Sequence, residues 1–86
     1  MQLSEAVSLQ EYEAAFGSAI RHTRENKRMT QAELAERAGL KEKAIARIED
    51  GKETLDLNTI IELTVKGLGV RFGEIFHLVD QYLGRI

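Results

Sequence analysis

The chain has 86 residues, of which 43% are apolar and 30% charged, as expected of one small globular domain. It has no cysteine and two histidines far apart in the sequence, His22 and His77, so it offers neither a disulfide framework nor a cluster of metal ligands. The longest apolar run is three residues, whereas a membrane span needs roughly 20, and no signal peptide is recognisable. We therefore expect a cytoplasmic protein with no membrane segment, metal or cofactor.

The net charge of −2 hides an asymmetry along the chain. Residues 21–52 contain nine Lys or Arg and six Asp or Glu, which gives this middle segment a net charge of +3, whereas the remaining residues sum to −5. The direction of the electric field at a surface matters more to binding than the total charge does. The basic middle segment between acidic ends therefore indicates a binding surface in residues 21–52.

Apolar residues recur at intervals of three and four and proline is absent, which predicts helices throughout. Capping boxes at Ser8 and Thr30 mark two of the starts, and Asp56 caps another. Residues 1–7 are expected to be flexible and residues 8–86 to form a single domain. The five predicted helices run from Ser8 to about Asn26, from Thr30 to Gly39, from about Glu42 to Asp50 with Gly51 closing it, from Asp56 to Gly69, and over residues 72–83.

An apolar pair with the spacing of a hydrophobic staple accompanies each predicted start and fixes the angle at which the chain enters the helix. The five pairs are Val7/Tyr12, Met29/Leu34, Leu40/Ile45, Leu55/Ile60 and Val70/Ile75. Two helices have a predicted buried side that the structure can test. In the first helix it consists of Leu9, Tyr12, Phe16, Ala19, Ile20 and Thr23, and in the fourth of Leu57, Ile60, Ile61, Val65 and Leu68.

The most informative segment is QAELAERAGLKEKAIARI, residues 31–48. Ala35 allows two helix backbones to approach closely, Gly39 can take the positive φ of a short turn, and Ile45 fills the angle between the helices. These residue types at these positions meet the steric needs of a helix-turn-helix motif.

This segment resembles the repressor and Cro-type (XRE-like) helix-turn-helix family of DNA-binding proteins. The likeness extends over about residues 16–76 through RIEDGK (residues 47–52) and LGVRFGEIF (residues 68–76). It implies an all-α, compact five-helix fold with the motif at residues 31–50, here with extended first and last helices. It also implies a buried structural ion pair between Arg24 and Glu49.

Two departures from the family pattern stand out. Lys41 occupies the cap of the motif's second helix, where Ser or Thr is usual and a lysine cannot accept a hydrogen bond. The fourth helix has one residue more than the common pattern, with Thr64 and Gly67 where alanine is usual, so its register is open.

In this family the second helix of the motif enters the major groove with its first residues facing the base edges. Lysine and arginine suit guanine, alanine suits a thymine methyl group and glutamate suits cytosine. The alternative for each charge is a solvated helix face, and Glu42 also suits the positive end of the helix dipole. The predicted base-contact residues are Lys41, Glu42, Lys43, Ala46 and Arg47.

Backbone contacts are expected from the flanks of the motif. Gln31 begins the first helix of the motif, where its amide and the nearby N–H groups suit a phosphate, and the alternative is a solvent-facing residue. Lys27 and Arg28 equally suit the negative end of the first helix. The predicted phosphate-contact residues are Gln31, Lys27, Arg28, Lys52 and Thr54.

The fifth helix is apolar on two sides. One stripe, Phe72, Ile75, Phe76, Val79 and Leu83, is sufficient to dock it on the domain, and the second predicts a homodimer contact through Leu78, Tyr82 and Ile86. The alternative is that Leu9 and Tyr12 of the first helix cover the second stripe within the same chain.

The sequence thus predicts a regulator that binds double-stranded DNA as a homodimer, most simply a repressor associated with the nucleoid. The alternative is a helix-turn-helix fold used as a protein-binding module, such as an antitoxin or a regulatory subunit, whose acidic ends bind a basic protein partner. No nucleophile elbow, phosphate-binding loop or metal-ligand spacing is present, so we expect no enzyme activity.

Overall fold

The computed structural model describes residues 8–84, and the predicted flexible segment 1–7 and Ile86 lie outside them. Within that range there are five helices and no strand, which confirms the predicted all-α fold. None of these helices is long and apolar enough to cross a membrane. The helices are α1 (Leu9–Asn26), α2 (Gln31–Ala38), α3 (Glu42–Glu49), α4 (Leu57–Ile61, continued by π-helical turns over Glu62–Leu68) and α5 (Phe72–Tyr82).

Side chains next to the helix starts satisfy the free N–H groups there. Reciprocal capping boxes begin α1, between Ser8 and Glu11, and α2, between Thr30 and Glu33. The carboxylate of Asp56 accepts from the N–H of Thr59 at 2.8 Å and begins α4. The cap of α3 is Lys41, which makes no such bond. The first turn of α3 is therefore held by contacts elsewhere in the fold.

One hydrophobic core joins all five helices. It is covered by the residues that precede four of the helices, Met29, Leu40, Leu55 and Val70, each half-buried and packed against it, as the staple spacing predicts. Val7 of the fifth pair lies outside the described residues. The largest fully buried side chains are Ile20, Leu34, Ile45, Leu63, Leu68, Ile75 and Thr64.

The buried side predicted for α4 is wrong at three of its five residues, since Leu68 is buried and Ile60 packs against the core as predicted. Leu57, Ile61 and Val65 are 62%, 40% and 50% exposed, and we call these three residues the α4 apolar stripe. The physical reason is a close approach between α4 and α2, since a Cβ atom at Gly67 would lie 2.6 Å from Cδ1 of Leu34. The helix must turn this narrow side inward, and the buried residues are Leu63, Thr64, Gly67 and Leu68.

The polar side chain that α4 buries is satisfied within the helix. The hydroxyl of Thr64 donates to the carbonyl oxygen of Ile60 at 2.8 Å. The π-helical turns widen the helix by i→i+5 hydrogen bonding, which is a way for a helix to hold an additional residue. They occur in the helix in which the sequence has one residue more than the family pattern.

The ends of the long helices are less covered than the sequence suggests. In α1, Phe16, Ala19 and Ile20 are buried as predicted, but Leu9 is 67% and Tyr12 37% exposed. In α5, Ile75 and Val79 are buried, whereas Leu78 and Leu83 are half-buried and Phe76 is 39% exposed. The first turn of α1 therefore extends beyond the core.

A glycine permits the closest contact between α1 and α3. A Cβ atom at Gly17 would lie 2.2 Å from the carbonyl oxygen of Ile48, whereas a Cβ atom at Gly73 in α5 would meet nothing within 4 Å. We expect Gly17→Ala to lower the free energy of unfolding by roughly 1–3 kcal/mol through overpacking. Gly73→Ala, in the first turn of α5, meets no neighbour and should change it by less than about 0.5 kcal/mol. Urea unfolding of both variants measures this, and a stable Gly17→Ala variant would contradict the packing.

Candidate nucleic-acid interface

The turn between α2 and α3 begins at Gly39, whose φ is +75°. The N–H of Leu40 donates to the carbonyl oxygen of Ala35 at 2.9 Å and closes the end of α2. Ala35 on α2 and Ile45 on α3 are both buried in the core. The small residue, the left-handed glycine and the buried isoleucine fix the angle at which α3 leaves the turn.

Helix α3 has one buried and one exposed side. Ile45, Ile48 and Glu49 are buried. Of the predicted base-contact residues, Lys41, Glu42, Lys43 and Arg47 are exposed and Ala46 is half-buried. Neither Lys41 nor Lys43 forms an ion pair with any residue in the described range. The exposed first turn of α3 therefore presents two lysines with no acidic partner among residues 8–84.

Arg47 is turned towards the loop after α3. Its Nε donates to a carboxylate oxygen of Glu53, and its terminal NH2 group donates to the carbonyl oxygen of Lys52 at 3.0 Å. The base contact predicted for Arg47 would require its guanidinium to leave Glu53. In this structure the side chain orders the loop that contains Lys52 and Thr54.

The predicted phosphate contacts flank the motif in two groups. Lys27 and Arg28 are exposed after the end of α1, with Arg28 in the left-handed region at φ +57°. Lys52 and Thr54 are exposed in the loop after α3. Gln31 is half-buried at the start of α2, and its amide Nε2 donates to Oε1 of Glu49 at 2.9 Å. Gln31 thus already serves the ion pair behind the motif, and its amide makes no other hydrogen bond among the described residues.

The Glu49 carboxylate is the centre of a buried polar cluster. Arg24 donates to it twice, from Nε to Oε2 at 2.6 Å and from NH2 to Oε1 at 2.9 Å. Arg24 also donates from NH1 to the carbonyl oxygen of Met29 at 2.8 Å, in the connection between α1 and α2. Together with Gln31, these bonds join α1, the start of α2 and the end of α3. The two residues that the family resemblance implies as a structural pair are therefore directly bonded here.

The cluster shifts the ionisation of both partners. Burial raises the pKa of the Glu49 carboxyl, but the hydrogen bonds from Arg24 and Gln31 outweigh it, and the pKa lies below the ordinary value of 4.5. The hydrogen bond to Glu49 raises the pKa of Arg24 above its ordinary value. Both groups therefore stay charged at neutral pH.

Sequence reasoning missed two arginines that support the site. The Nε of Arg21 lies 3.4 Å from Oε1 of Glu49, and its NH2 group lies 3.1 Å from Oδ1 of Asp50. The signal for Arg21 was its position one turn before Arg24 on the same helix. Arg37 donates from Nε to the carbonyl oxygen of Gly67 at 3.0 Å, which ties α2 to α4. No sequence pattern indicated this second bond.

Removing the charge of Glu49 tests the cluster. Glu49→Gln leaves the buried guanidinium of Arg24 without its counter-ion, and we expect the free energy of unfolding to fall by roughly 3–5 kcal/mol. The matched control is Asp50→Asn, because Asp50 pairs with Arg21 at the surface; it should cost less than about 1 kcal/mol. Equal losses in the two variants, measured by urea unfolding at pH 7, would contradict the assignment.

The same cluster predicts how stability depends on pH. The pKa of Glu49 is lower in the folded than in the unfolded chain, so its contribution is present above the unfolded value and is lost as the pH falls through the folded value. The wild type should therefore lose stability as the pH falls below 4.5, the ordinary pKa of a glutamate carboxyl. The Glu49→Gln variant should lose less stability over the same pH range.

Comparison with known proteins agrees with this architecture. The sequence matches the family described as Helix-turn-helix domain over residues 15–71. No curated protein matches it significantly. The described residues contain no group of three His, Cys, Asp or Glu side chains that could hold a metal ion.

Three solved structures are similar in fold. The clp gene regulator ClgR from Corynebacterium glutamicum has a TM-score of 0.79 at 22% identity, covering 91% of this chain and 79% of that chain. Two mutants of the Restriction-Modification Controller Protein C.Esp1396I each have a TM-score of 0.77. One is 25% identical and covers 84% of this chain and 95% of its own. The other is 28% identical and covers 87% and 97%.

The family match extends from α1 through the motif to the residue before α5. It includes the turn at Gly39, the exposed first turn of α3 and the buried Arg24–Glu49 pair. The family and the similar structures are of regulators rather than enzymes, in agreement with the sequence prediction. The chain belongs to the helix-turn-helix domain family and has the fold of its DNA-binding transcriptional regulators.

Proposed function

We propose that this protein binds duplex DNA as a homodimer, with the first turn of α3 in the major groove, and represses transcription. The observation that carries this proposal is the exposed first turn of α3, which presents Lys41 and Lys43 with no acidic partner among the described residues. Repression follows from occupancy of a promoter, because a bound protein excludes the transcription machinery from the same DNA.

The support behind α3 favours a rigid reading surface. Ile45 and Ile48 anchor one side of the helix in the core, and Glu49 ties its end to Arg24. A side chain can discriminate bases only when its backbone is held in register with the groove. The Glu49 cluster holds α3 from its buried side. The exposed lysines of its first turn therefore remain available to the DNA.

The residues of the first turn have the chemistry of base recognition. Lys41 and Lys43 can donate to O6 and N7 of guanine, and Glu42 can accept from N4 of cytosine. Lys27, Arg28, Lys52 and Thr54 flank the motif and suit phosphates on the two sides of the groove. Nucleoid association would follow from the same contacts.

Replacing Lys43 tests the base contact. After selection of bound duplexes from random DNA, Lys43→Ala should weaken binding to the preferred site by roughly 1–3 kcal/mol and relax the preference at one position. The control Arg71→Ala removes an exposed cation outside the proposed DNA and dimer contacts and should leave the affinity unchanged. Fluorescence anisotropy measures both, and an equal loss on all sequences would make Lys43 a phosphate contact instead.

The salt dependence of the same measurement distinguishes the alternative function. Each phosphate contact should contribute about −0.9 to the slope of log affinity against log salt. No selectable site and no salt-dependent DNA affinity would reject DNA binding and favour a protein-binding module.

The homodimer rests on an exposed apolar surface. At the predicted contact, Leu78 already packs against the core and Tyr82 is 50% exposed, while Ile86 is not among the described residues. The α4 apolar stripe has three exposed apolar side chains, against one at the end of α5. It is flanked by Glu62 and Lys66, whose opposite charges can pair across a two-fold axis. The α4 apolar stripe is therefore our first candidate, and the end of α5 through Tyr82 is the second.

Two charge substitutions separate these interfaces. Ile61→Asp places a carboxylate in the α4 apolar stripe and should yield monomers in sedimentation velocity, because an isologous contact would bury two such charges. Tyr82→Asp, at a residue of comparable exposure on α5, should leave the dimer intact. The reverse pattern would assign the contact to the end of α5, and a monomeric wild type would reject the homodimer.

A further inference from the structure

A groove of about 260 Å³ lies between the first half of α1, the loop before α4 and the outer side of α5. Of the proposed DNA and dimer contacts, only Thr54 is among its lining residues. Its apolar walls include Leu9, Tyr12, Phe16, Leu55, Phe76 and Val79. The ring of Phe76 stands edge-on to Phe72 at 4.9 Å and lies 6.4 Å from Phe16. The aromatic wall is therefore braced by its neighbours.

The charged groups lining this groove are both acidic, Glu13 and Asp80. The Oε2 atom of Glu13 is buried and accepts no hydrogen bond from any residue of the described chain. This atom is almost inaccessible to solvent, so a cation in the groove acts on the Glu13 carboxylate through its charge, together with Asp80, rather than by a bond to Oε2. The apolar walls and the two carboxylates thus favour an occupant with an apolar body and a positive charge.

We propose that this groove binds a small organic cation, an alkylammonium joined to an apolar ring-sized body. The ammonium group is attracted by the carboxylates of Glu13 and Asp80, and the body packs between Tyr12, Leu55 and Phe76. Ligand pockets commonly have volumes of roughly 300–1,000 Å³, so this groove suits a compact ligand with one ring. The aromatic side chains add attraction for a cation held near their faces.

Charge argues against a second copy of the chain as the occupant. A two-fold contact through the groove would place the acidic patch against itself and bring two copies of Glu13 and Asp80 together. Like charges facing each other across an interface oppose association. The α4 apolar stripe, with an acid and a base beside it, has no such conflict. A cationic ligand instead neutralises the groove.

The direct test compares three probes of similar shape on the full chain labelled with 15N. 2-Phenylethylamine carries an ammonium at pH 7, 2-phenylethanol is neutral and 3-phenylpropanoate is anionic. We expect saturable amide shifts at Glu13, Leu55 and Phe76 with the amine, at least tenfold weaker binding of the alcohol, and none of the acid. Equal affinity for amine and alcohol, or shifts confined to another surface, would overturn the proposal.

Removing the charge of Glu13 tests its attraction for the ammonium. Glu13→Gln keeps the shape of the side chain and should lower the preference for the amine over the alcohol below tenfold. The matched control is Glu25→Gln, an exposed carboxylate on the same helix away from the groove, which should keep the tenfold preference. A Glu13→Gln variant that still prefers the amine tenfold would overturn the proposal.

Sedimentation addresses the competing occupant. If a second copy filled the groove, Phe76→Asp would convert dimers to monomers and the amine would produce no saturable shifts at the groove, which would overturn the proposal. A dimer that survives Phe76→Asp supports it. None of these measurements involves DNA, so their failure leaves the proposed DNA-binding function standing, and a failure of DNA binding leaves this site intact.

Discussion

The fold depends on one buried carboxylate that accepts hydrogen bonds from three side chains. Glu49 ends α3, and it accepts hydrogen bonds from Arg24 and Arg21 on α1 and from Gln31 on α2. Burying this charge is costly on its own, and the bidentate arginine compensates for the cost only in the native arrangement. The carboxylate therefore couples the orientation of α3 to the rest of the chain. A helix without a side-chain cap at its start is held by its end.

Backbone contact reinforces this coupling. Gly17 lets α1 touch the last carbonyls of α3, and Gly67 lets α4 touch α2. A larger residue at position 17 would meet the backbone of α3, whereas at position 67 it would meet the side chains of Leu34 and Ala38 on α2. The first turn of α3 is thus exposed, while the rest of the helix is anchored by Ile45, Ile48 and Glu49. A helix with an anchored buried side and an exposed, positively charged first turn is the physical basis of the proposed DNA recognition.

The same rigid body leaves two apolar surfaces uncovered, and their charges differ. The α4 apolar stripe has an acid and a base beside it, which suits an identical partner, whereas the charged residues of the groove beside Phe76 are both acidic and suit a cation. The groove also includes Thr54 and Leu55, in the loop that Arg47 orders through Lys52 and Glu53. In our proposals this loop therefore contributes both to the DNA contact, through Lys52 and Thr54, and to the groove, through Thr54 and Leu55.

The sequence alone determined the helices and their starts, because capping boxes, staples and left-handed glycines are local signals within a few residues of one another. It also determined the motif, since Ala35, Gly39 and Ile45 meet steric needs that few other residues satisfy. Tertiary structure decided which side of α4 is buried, because the narrow contact at Gly67 outweighed the more apolar side that contains Ile61. It also decided the direction of Arg47, which turns to the loop after α3, and the burial of Oε2 of Glu13, since neither follows from helix periodicity. No local pattern records such contacts.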